Sequence, residues 1–380
     1  MPGVRVSRSG PSGGSVQCRL TTLEDFEEIH ALERRYGMGF RTYDEWSHLW
    51  VNNPVCKRAP HLPIGWVLED HQKQIVGSFC SVPFGFDFEG RQLIAGTSCS
   101  WVAEERYRGY ALLLLDRFLS QPDVDLHLCV SPNSQAAPAV ALHCERVPVG
   151  VWDRAAFWIV NHAGFARSVL AKKETPCRAL LRYPVATALA VRDALTRDAL
   201  RAAARRQSDY DLRTCTTFDR FDAFWETVKA RNPHRLLASR TRDVLEWHFK
   251  HPLAQGNAWI STVCDGGRLA AYAVLCRKDN ARIGLWRVRL VDYQSLDGDT
   301  SLLLPILVDA VQRCRRDGTA VLESIGWQLD RDGLMDRIAP HARTMPSWQY
   351  FYKAADPGLA SRLKGRAAWS PSQYDGDACL

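Results

Sequence analysis

The sequence predicts an α+β protein: a mixed, mostly antiparallel sheet flanked by helices, built twice along the chain. Segments rich in alternating and β-branched residues recur with Gly between them, as antiparallel strands do. Amphipathic segments that open on Thr or an acid sit among those strands. The order of the segments also repeats. Thr21 to Phe26 reads Thr-Thr, apolar, acid, acid, Phe, and Thr216 to Phe221 echoes it. Glu45-Trp46 is echoed by Glu246-Trp247, each followed within a short span by Pro (Pro54, Pro252). Leu112–Leu115 is echoed by Leu302–Leu304. Three echoes in one order at a near-constant offset read as a duplicated domain, not a short solenoid repeat.

In the first copy, residues 16–21 form a strand, and Thr22 caps a helix over 23–36 with Asp and Glu in its first turn. A second helix covers 42–51, and strands follow at 64–70, 74–86 and 92–102. A helix at 110–120, a short strand at 125–130, a helix at 136–145 and a last strand at 156–160 close the unit. The second copy runs from 210 to 354. The chain thus divides into a disordered lead (1–15), an N-terminal domain (16–165), a linker (166–209), a C-terminal domain (210–355) and a tail (356–380). Within the linker, residues 178–206 hold seven Arg against two Asp, which reads as one or two basic amphipathic helices interrupted at Pro184. Such a segment is either a solvated helix packed on both domains or a weak contact with an anionic membrane face. The tail, aromatic and acidic over 367–380, is expected to pack on the surface.

Composition narrows the class. Hydrophobic residues make up 46% and charged residues 24% of 380, ordinary values for a globular chain that buries a core without staples. No apolar run approaches a membrane span, and the first residues lack the apolar stretch of a signal peptide. The net charge of +7 suits an anionic partner without choosing among a phosphorylated cofactor, a nucleic acid and a membrane. No aromatic–basic RNA motif or helix-turn-helix pattern appears, so no nucleic acid is expected. The twelve cysteines form no C-x-x-C pair and are expected to be reduced thiols in a cytoplasmic protein. His248-x-x-His251 lacks a further Cys or carboxylate at ligand spacing, so no metal is expected. The tryptophans Trp46, Trp50, Trp66, Trp152, Trp158, Trp247, Trp327 and Trp348 are expected in the core or lining a pocket.

The chemistry is expected where a strand runs into a helix at residues 98–119. Between them lies Arg106-Tyr107-Arg108-Gly109-Tyr110-Ala111. A helix start leaves backbone N–H groups without partners and carries partial positive charge. Gly109 and Ala111 keep the surface low enough for a phosphate to approach, and Arg106 and Arg108 add full charges. The junction is a pyrophosphate cradle, though neither a Rossmann nor a P-loop one.

Arg106, Gly109 and Ala111 resemble, position by position, the [Q/R]-x-x-G-x-[G/A] signature of the GNAT superfamily of acyl-CoA-dependent N-acyltransferases. The element order of residues 16–160, and again of 210–354, is similar to that fold, so the chain looks like two GNAT-like domains in tandem. The resemblance implies acetyl-CoA or a longer acyl-CoA as donor, its pyrophosphate at the Gly109 turn. It implies that the pantetheine arm lies along Trp101, Val102 and Ala103, with Asn133 nearby. His143 falls where many family members have a Tyr that protonates the leaving thiolate; it is equally readable as a packing or surface residue. Cys144 beside it could serve as a nucleophile, but the family usually needs none and a buried free Cys is usually inert. The family's usual base, a carboxylate on the fourth strand, is missing from residues 92–103. Glu104 and Glu105 are the nearest candidates, with Asp153, Asp292 and Glu323 looser alternatives. In the second copy the matching junction holds Asp297 and Asp299 and no Arg, which would repel a pyrophosphate. That copy is expected to have lost the donor site and to help wall the acceptor pocket.

The expected activity is acyl transfer from CoA to a small primary amine, with a lean toward an amino-sugar derivative. The alternatives are a Fem-type transferase that uses aminoacyl-tRNA and a non-catalytic GNAT-derived binding or scaffold protein.

Overall fold

The computed structural model describes residues 16–39, 41–150, 152–196, 200, 202, 210–326, 333–345 and 348–380. The expected lead and Trp327 lie outside them. The first half contains β1 (Gln17–Leu20), α1 (Phe26–Arg35), α2 (Tyr43–Val51), α3 (Pro54–Arg58), β2 (Gly65–Glu69), β3 (Ile75–Phe88), β4 (Arg91–Ala103), α4 (Ala111–Leu119), β5 (Leu126–Cys129), α5 (Ala137–Ala141) and β6 (Glu145–Arg146). Next come β7 (Arg154–Ile159), α6 (His162–Lys172) and α7 (Arg178–Thr196). The second half contains β8 (Asp211–Cys215), α8 (Phe221–Arg231), β9 (Leu237–Ala238), α9 (Arg242–Ala254), β10 (Ala258–Asp265), β11 (Arg268–Arg277), β12 (Arg287–Ser295), α10 (Leu303–Arg316) and β13 (Val321–Ile325). It ends with α11 (Leu334–Ile338), β14 (His341–Thr344), β15 (Phe351–Ala354) and α12 (Pro357–Leu363).

Local sequence accounts for most starts and stops. Thr42 caps α2, and Glu45 returns the bond to the Thr42 N–H, a reciprocal capping box. Leu114, Leu115 and Phe118 recur on one face of α4 and are fully buried against Phe79 on β3. The echoes fall on corresponding elements: the start of α1 and of α8, then α2 and α9, then α4 and α10.

The two sheets have matching strand orders. The first runs β1-β2-β3-β4-β5-β15-β6, with β9 added to β3, and the second runs β8-β10-β11-β12-β13-β7-β14. In each sheet the central parallel pair is followed by one strand taken from the other half. β7, expected to close the first unit, pairs instead with β13 and β14, and β15 fills its place between β5 and β6. The expectation failed because β7 carries the same apolar strand pattern whichever sheet receives it.

The faces of the sheets that carry α1 and α2, and α8 and α9, meet in one shared core. Trp46, Trp50, Phe84, Trp247, Tyr272 and Tyr374 belong to it. Trp66, Trp152, Trp158 and Trp348 are also buried, as expected. The α4 and α10 faces form separate outer cores.

Two further expectations are corrected. Helix α7 runs through Pro184 without interruption; near the helix start a proline removes one backbone bond, which exposed neighbours tolerate. The tail is not a surface strap: Ser372, Gln373, Tyr374 and Asp375 are buried between the halves. Among the described residues, no helix is long and apolar enough to cross a membrane.

Candidate active site

The site is built where β4 and β5 part. They pair in parallel over only three positions, Ala95–Leu126, Gly96–His127 and Thr97–Leu128. Two features drive the separation. The β3–β4 register shifts between Ser78 and Cys80. Opposite that shift, Ser100 has φ of +54°, a left-handed conformation that bends β4 away as a bulge. Buried Glu33 on α1 hydrogen-bonds Ser100 from behind, and burial raises its carboxyl pKa.

The gap is a groove. Its inner part, a cavity of about 130 Å³, is lined by Ser98, Ser100 and Trp101 of β4, by Cys129 and Ser131, and by Asn133 and Asp377. It shares Trp101, Asn133 and Ala136 with a wider cleft of about 340 Å³ that reaches Ala103, Arg108, Ala111 and Leu112. The cleft therefore ends at the start of α4. At Gly109 no atom lies within 4 Å of the place a Cβ would occupy, so the turn is open. Trp101 lines both the cavity and the cleft beside the parted strands.

The other residues singled out from the sequence divide into three groups. Arg108 lines the open end of the cleft, whereas Arg106 lines neither cavity. Arg106 lies 3.5 Å from Glu104 and over the Tyr107 ring, while Arg108 lies 3.7 Å from Glu105. Tyr107 and Tyr110 pack on the α4 core and line neither cavity, while Val102 lines the cleft with its side chain buried in the shared core. Asn133 caps α5, its Oδ1 accepting the N–H groups of Gln135 and Ala136 at 2.9 Å.

The third group does not reach the groove. Glu104 is held by Arg35 at 2.8 Å on the rim, and Glu105 is exposed beside Arg108. His143 is exposed and lines neither cavity, because α5 ends at Ala141 rather than continuing to 145. The Cys144 thiol hydrogen-bonds Cys129, which lowers its pKa. Asp292 is fully buried and bound by Arg240, Tyr272 and Ser372. Glu323 is enclosed by Arg287, Arg289 and Arg343. Asp153 meets Met345 through its backbone.

Sequence reading missed the carboxylate that does line the groove. Asp377 follows the buried stretch of the tail and accepts a hydrogen bond from Ser131 at 3.4 Å. Burial pushes its carboxyl up to about 6, against the pull of Arg41 and Ser131. No local signal marks it, since its surroundings come from residues far away in the chain.

The second half repeats the architecture with the openings filled. β12 and β13 pair in parallel from Arg287–Val321 to Leu290–Ser324 and then part. The tail enters there: Gln373 Nε2 donates to the carbonyls of Leu290 at 3.2 Å and Ile325 at 3.5 Å, bridging both strands. At the helix start beyond, Asp299 accepts the Ser301 N–H at 2.7 Å and Asp297 pairs with Arg231. Both aspartates singled out from the sequence thus stand at this helix start.

Residues 192–326, from the end of α7 through β13, match the sequence model of an acetyltransferase (GNAT) domain. The family's sequence match thus lies in the half whose openings are filled, and the open turn lies in the other. No curated protein matches the chain by sequence. Three solved structures resemble it over nearly its whole length. A GCN5-related N-acetyltransferase from Kribbella flavida shares 9% identity, with 90% of this chain and 71% of that one covered and a TM-score of 0.55. A GCN5-related N-acetyltransferase from Anabaena variabilis shares 12%, with 90% and 73% covered and a TM-score of 0.51. Saccharomyces cerevisiae N-myristoyltransferase, solved with bound myristoyl-CoA, shares 11%, with 92% and 85% covered and a TM-score of 0.51. Residues 192–326 thus carry the sequence pattern of a GNAT acetyltransferase domain, and the architecture of the chain is similar to that of these solved acyltransferases.

Proposed function

We propose that the protein transfers an acyl group from acyl-CoA to a small primary amine, with the donor bound by the first half alone. One observation carries this reading: the gap left where β4 and β5 part opens into a cleft that reaches Arg108 and Ala111 at the start of α4. A pantetheine arm has amides that suit the exposed edge of β4 along Trp101 to Ala103, as an added strand would. The diphosphate sits at the turn, where N–H groups, the helix dipole, Arg106 and Arg108 favour negative charge. This direction puts the thioester in the inner cavity, beside Asp377.

Asp377 is then the general base. A protonated amine has no lone pair, so a group must take its proton as nitrogen attacks the thioester carbon. With a pKa of about 6, Asp377 is largely ionised at neutral pH yet basic enough to accept it. The N–C bond forms and the C–S bond breaks. The proton held on Asp377 then passes to the departing thiolate, so one carboxyl serves in both directions. Acetyl-CoA and longer acyl-CoA both suit a cleft of this size. The amino-sugar expectation rests on resemblance alone.

Calorimetric titration of the full chain with acetyl-, octanoyl- and myristoyl-CoA tests the donor assignment. At least one should bind with one site per chain, and Arg106→Glu should weaken it tenfold or more by opposing the diphosphate with charge. Binding by none of the three, or equal binding by the variant, would refute the donor site.

The linker supports a secondary contact. Helix α7 exposes Leu180, Tyr183 and Val191, and Arg178 and Arg192 lie on the same helix, a composition suited to weak, salt-sensitive attachment to an anionic membrane face. Such attachment would hold the enzyme at the cytoplasmic side of a membrane, where acyl-CoA is available.

A further inference from the structure

Among the described residues, six that are not glycine have a positive φ. Lys73, Glu89, Glu174, Cys177 and Arg220 stand in turns or bends between elements, and Ser100 alone lies inside a strand. At its φ of +54° a side chain crowds the backbone, so the conformation persists where neighbouring groups impose it. Glycine would adopt it freely. Here a serine does.

The place is a bulge at the groove. Cys99 pairs with Cys80 and Val102 with Ser78, so Ser100 and Trp101 on β4 stand opposite Phe79 alone on β3. Both bulged residues line the inner cavity. The last pairing of β4 with β5 is at Thr97, so the bulge forms the wall just past the point where the strands part.

The group that imposes the bend comes from α1. That helix buries Phe26, Ile29 and Leu32 in the core that Cys99 and Val102 of β4 also enter. Glu33 follows them and is buried as well. A carboxyl is a costly choice in such a place unless a partner requires it. The Ser100 hydroxyl donates to it, while Glu33 Oε1 has no hydrogen-bond partner, so the bonding of this carboxyl is directed at the bulge. The Glu33 backbone is fixed too. Its carbonyl accepts the N–H groups of Tyr36 at 3.1 Å and Met38 at 3.0 Å. Met38 lines both the inner cavity and the cleft, and Tyr36 lines the cleft. The end of α1 thus meets the groove at the same end as the bulge it holds.

We propose that Glu33 is a positioning residue for the acyl donor: through the Ser100 hydroxyl it holds the β4 bulge in its left-handed bend, and the bend keeps β4 apart from β5. Glu33 acts through Ser100 and takes no part in the transfer itself. Without the carboxyl, Ser100 relaxes to an ordinary negative φ, β4 straightens, and pairing with β5 runs on into the groove. The consequence for acyl-CoA rests on the donor reading; the hold on the bulge does not.

Backbone amide exchange of the full chain over residues 98–103, followed by mass spectrometry, reads the bulge without a ligand. In Glu33→Ala these amides should exchange at least fivefold more slowly, because the strands pair further. Glu33→Gln keeps an acceptor for the hydroxyl and should stay within twofold of the wild type. Ser100→Gly added to Glu33→Ala should return exchange toward the wild-type rate, since glycine takes the bend without a tether. Calorimetry with acetyl-, octanoyl- and myristoyl-CoA then reads the consequence. Glu33→Ala should weaken the bound donor at least tenfold, and the double variant should regain at least fivefold of that loss. Unchanged exchange in Glu33→Ala would overturn the proposal, as would faster exchange, the sign of a merely loosened core. A double variant that recovers neither exchange nor affinity would overturn it as well. Failure of the wild type to bind any of the three would instead remove the donor reading, with the exchange rates still deciding the role of Glu33.

Discussion

At the residue scale, the group that decides the chemistry is Asp377. Its carboxyl is raised to about 6 in the folded chain, above the ordinary aspartate value of 3.8. The ionised form is the active base, so activity should rise with pH through about 6 and level off above it. Asp377→Asn should lower kcat by about a hundredfold or more, within the range for loss of a general base. It should also erase the acidic limb of the pH–rate profile. The sign of the stability effect is opposite. A carboxyl whose folded pKa exceeds its unfolded one destabilises the fold above the folded pKa, because burial disfavours its charge. The asparagine variant should therefore keep or raise its melting temperature at pH 8 while losing turnover. A loss of activity accompanied by a loss of stability would point to a structural role instead. Asp377 also marks the boundary of what was legible. Gly109, Arg106 and the aspartates of the second copy could be read because their meaning is local: a turn, a helix start, a charge at it. Asp377 was invisible because Ser131 and Arg41, which define it, are far from it in sequence.

At the element scale, the tail joins the halves. Arg240, almost fully buried, donates to Asp292 on β12 at 2.9 and 3.0 Å and to Asp375 of the tail at 2.9 Å. Two carboxylates on one guanidinium make its removal costly, since both would remain buried without a counter-charge. Arg240→Met should destabilise the protein by roughly 3–5 kcal/mol at pH 8. Thermal melts at two pH values check the cause. Near pH 5 Asp375, whose carboxyl burial raises to about 6, can protonate, so the deficit should shrink. A deficit equal at both pH values would assign the loss to packing. Because the same tail carries Asp377 to the groove, the variant should also turn over more slowly. The elements themselves were largely readable: strands β1 to β5 and helices α1, α2 and α4 fall within a few residues of their expected places. What a strand pattern does not encode is its partner. The alternation of β7 specifies two buried faces and says nothing about which sheet supplies its neighbours. The exchange of β7 and β15 is set by chain connectivity and by the core the two halves share.

At the scale of the whole molecule, that exchange makes the duplicated halves interdependent. Two domains joined by a linker would unfold separately, each keeping its own core. Here neither sheet is complete without a strand from the other half, and Trp46, Trp247 and Tyr374 share one core across the boundary. Opening the first sheet at β5 removes β15, which exposes the tail and pulls Gln373 from between β12 and β13. Unfolding in urea should therefore be one cooperative transition. Far-UV circular dichroism, which reports both sheets, and tryptophan fluorescence, which reports the shared core, should give the same midpoint and slope. Two resolved transitions would mean that the exchanged strands contribute little to holding the halves together. The same interdependence accounts for the division of labour. The tail plugs the second groove through Gln373, and the same tail brings Asp377 to the groove that remains open. With the donor bound by the first half alone, as proposed, titration with acyl-CoA should stop at one equivalent per chain.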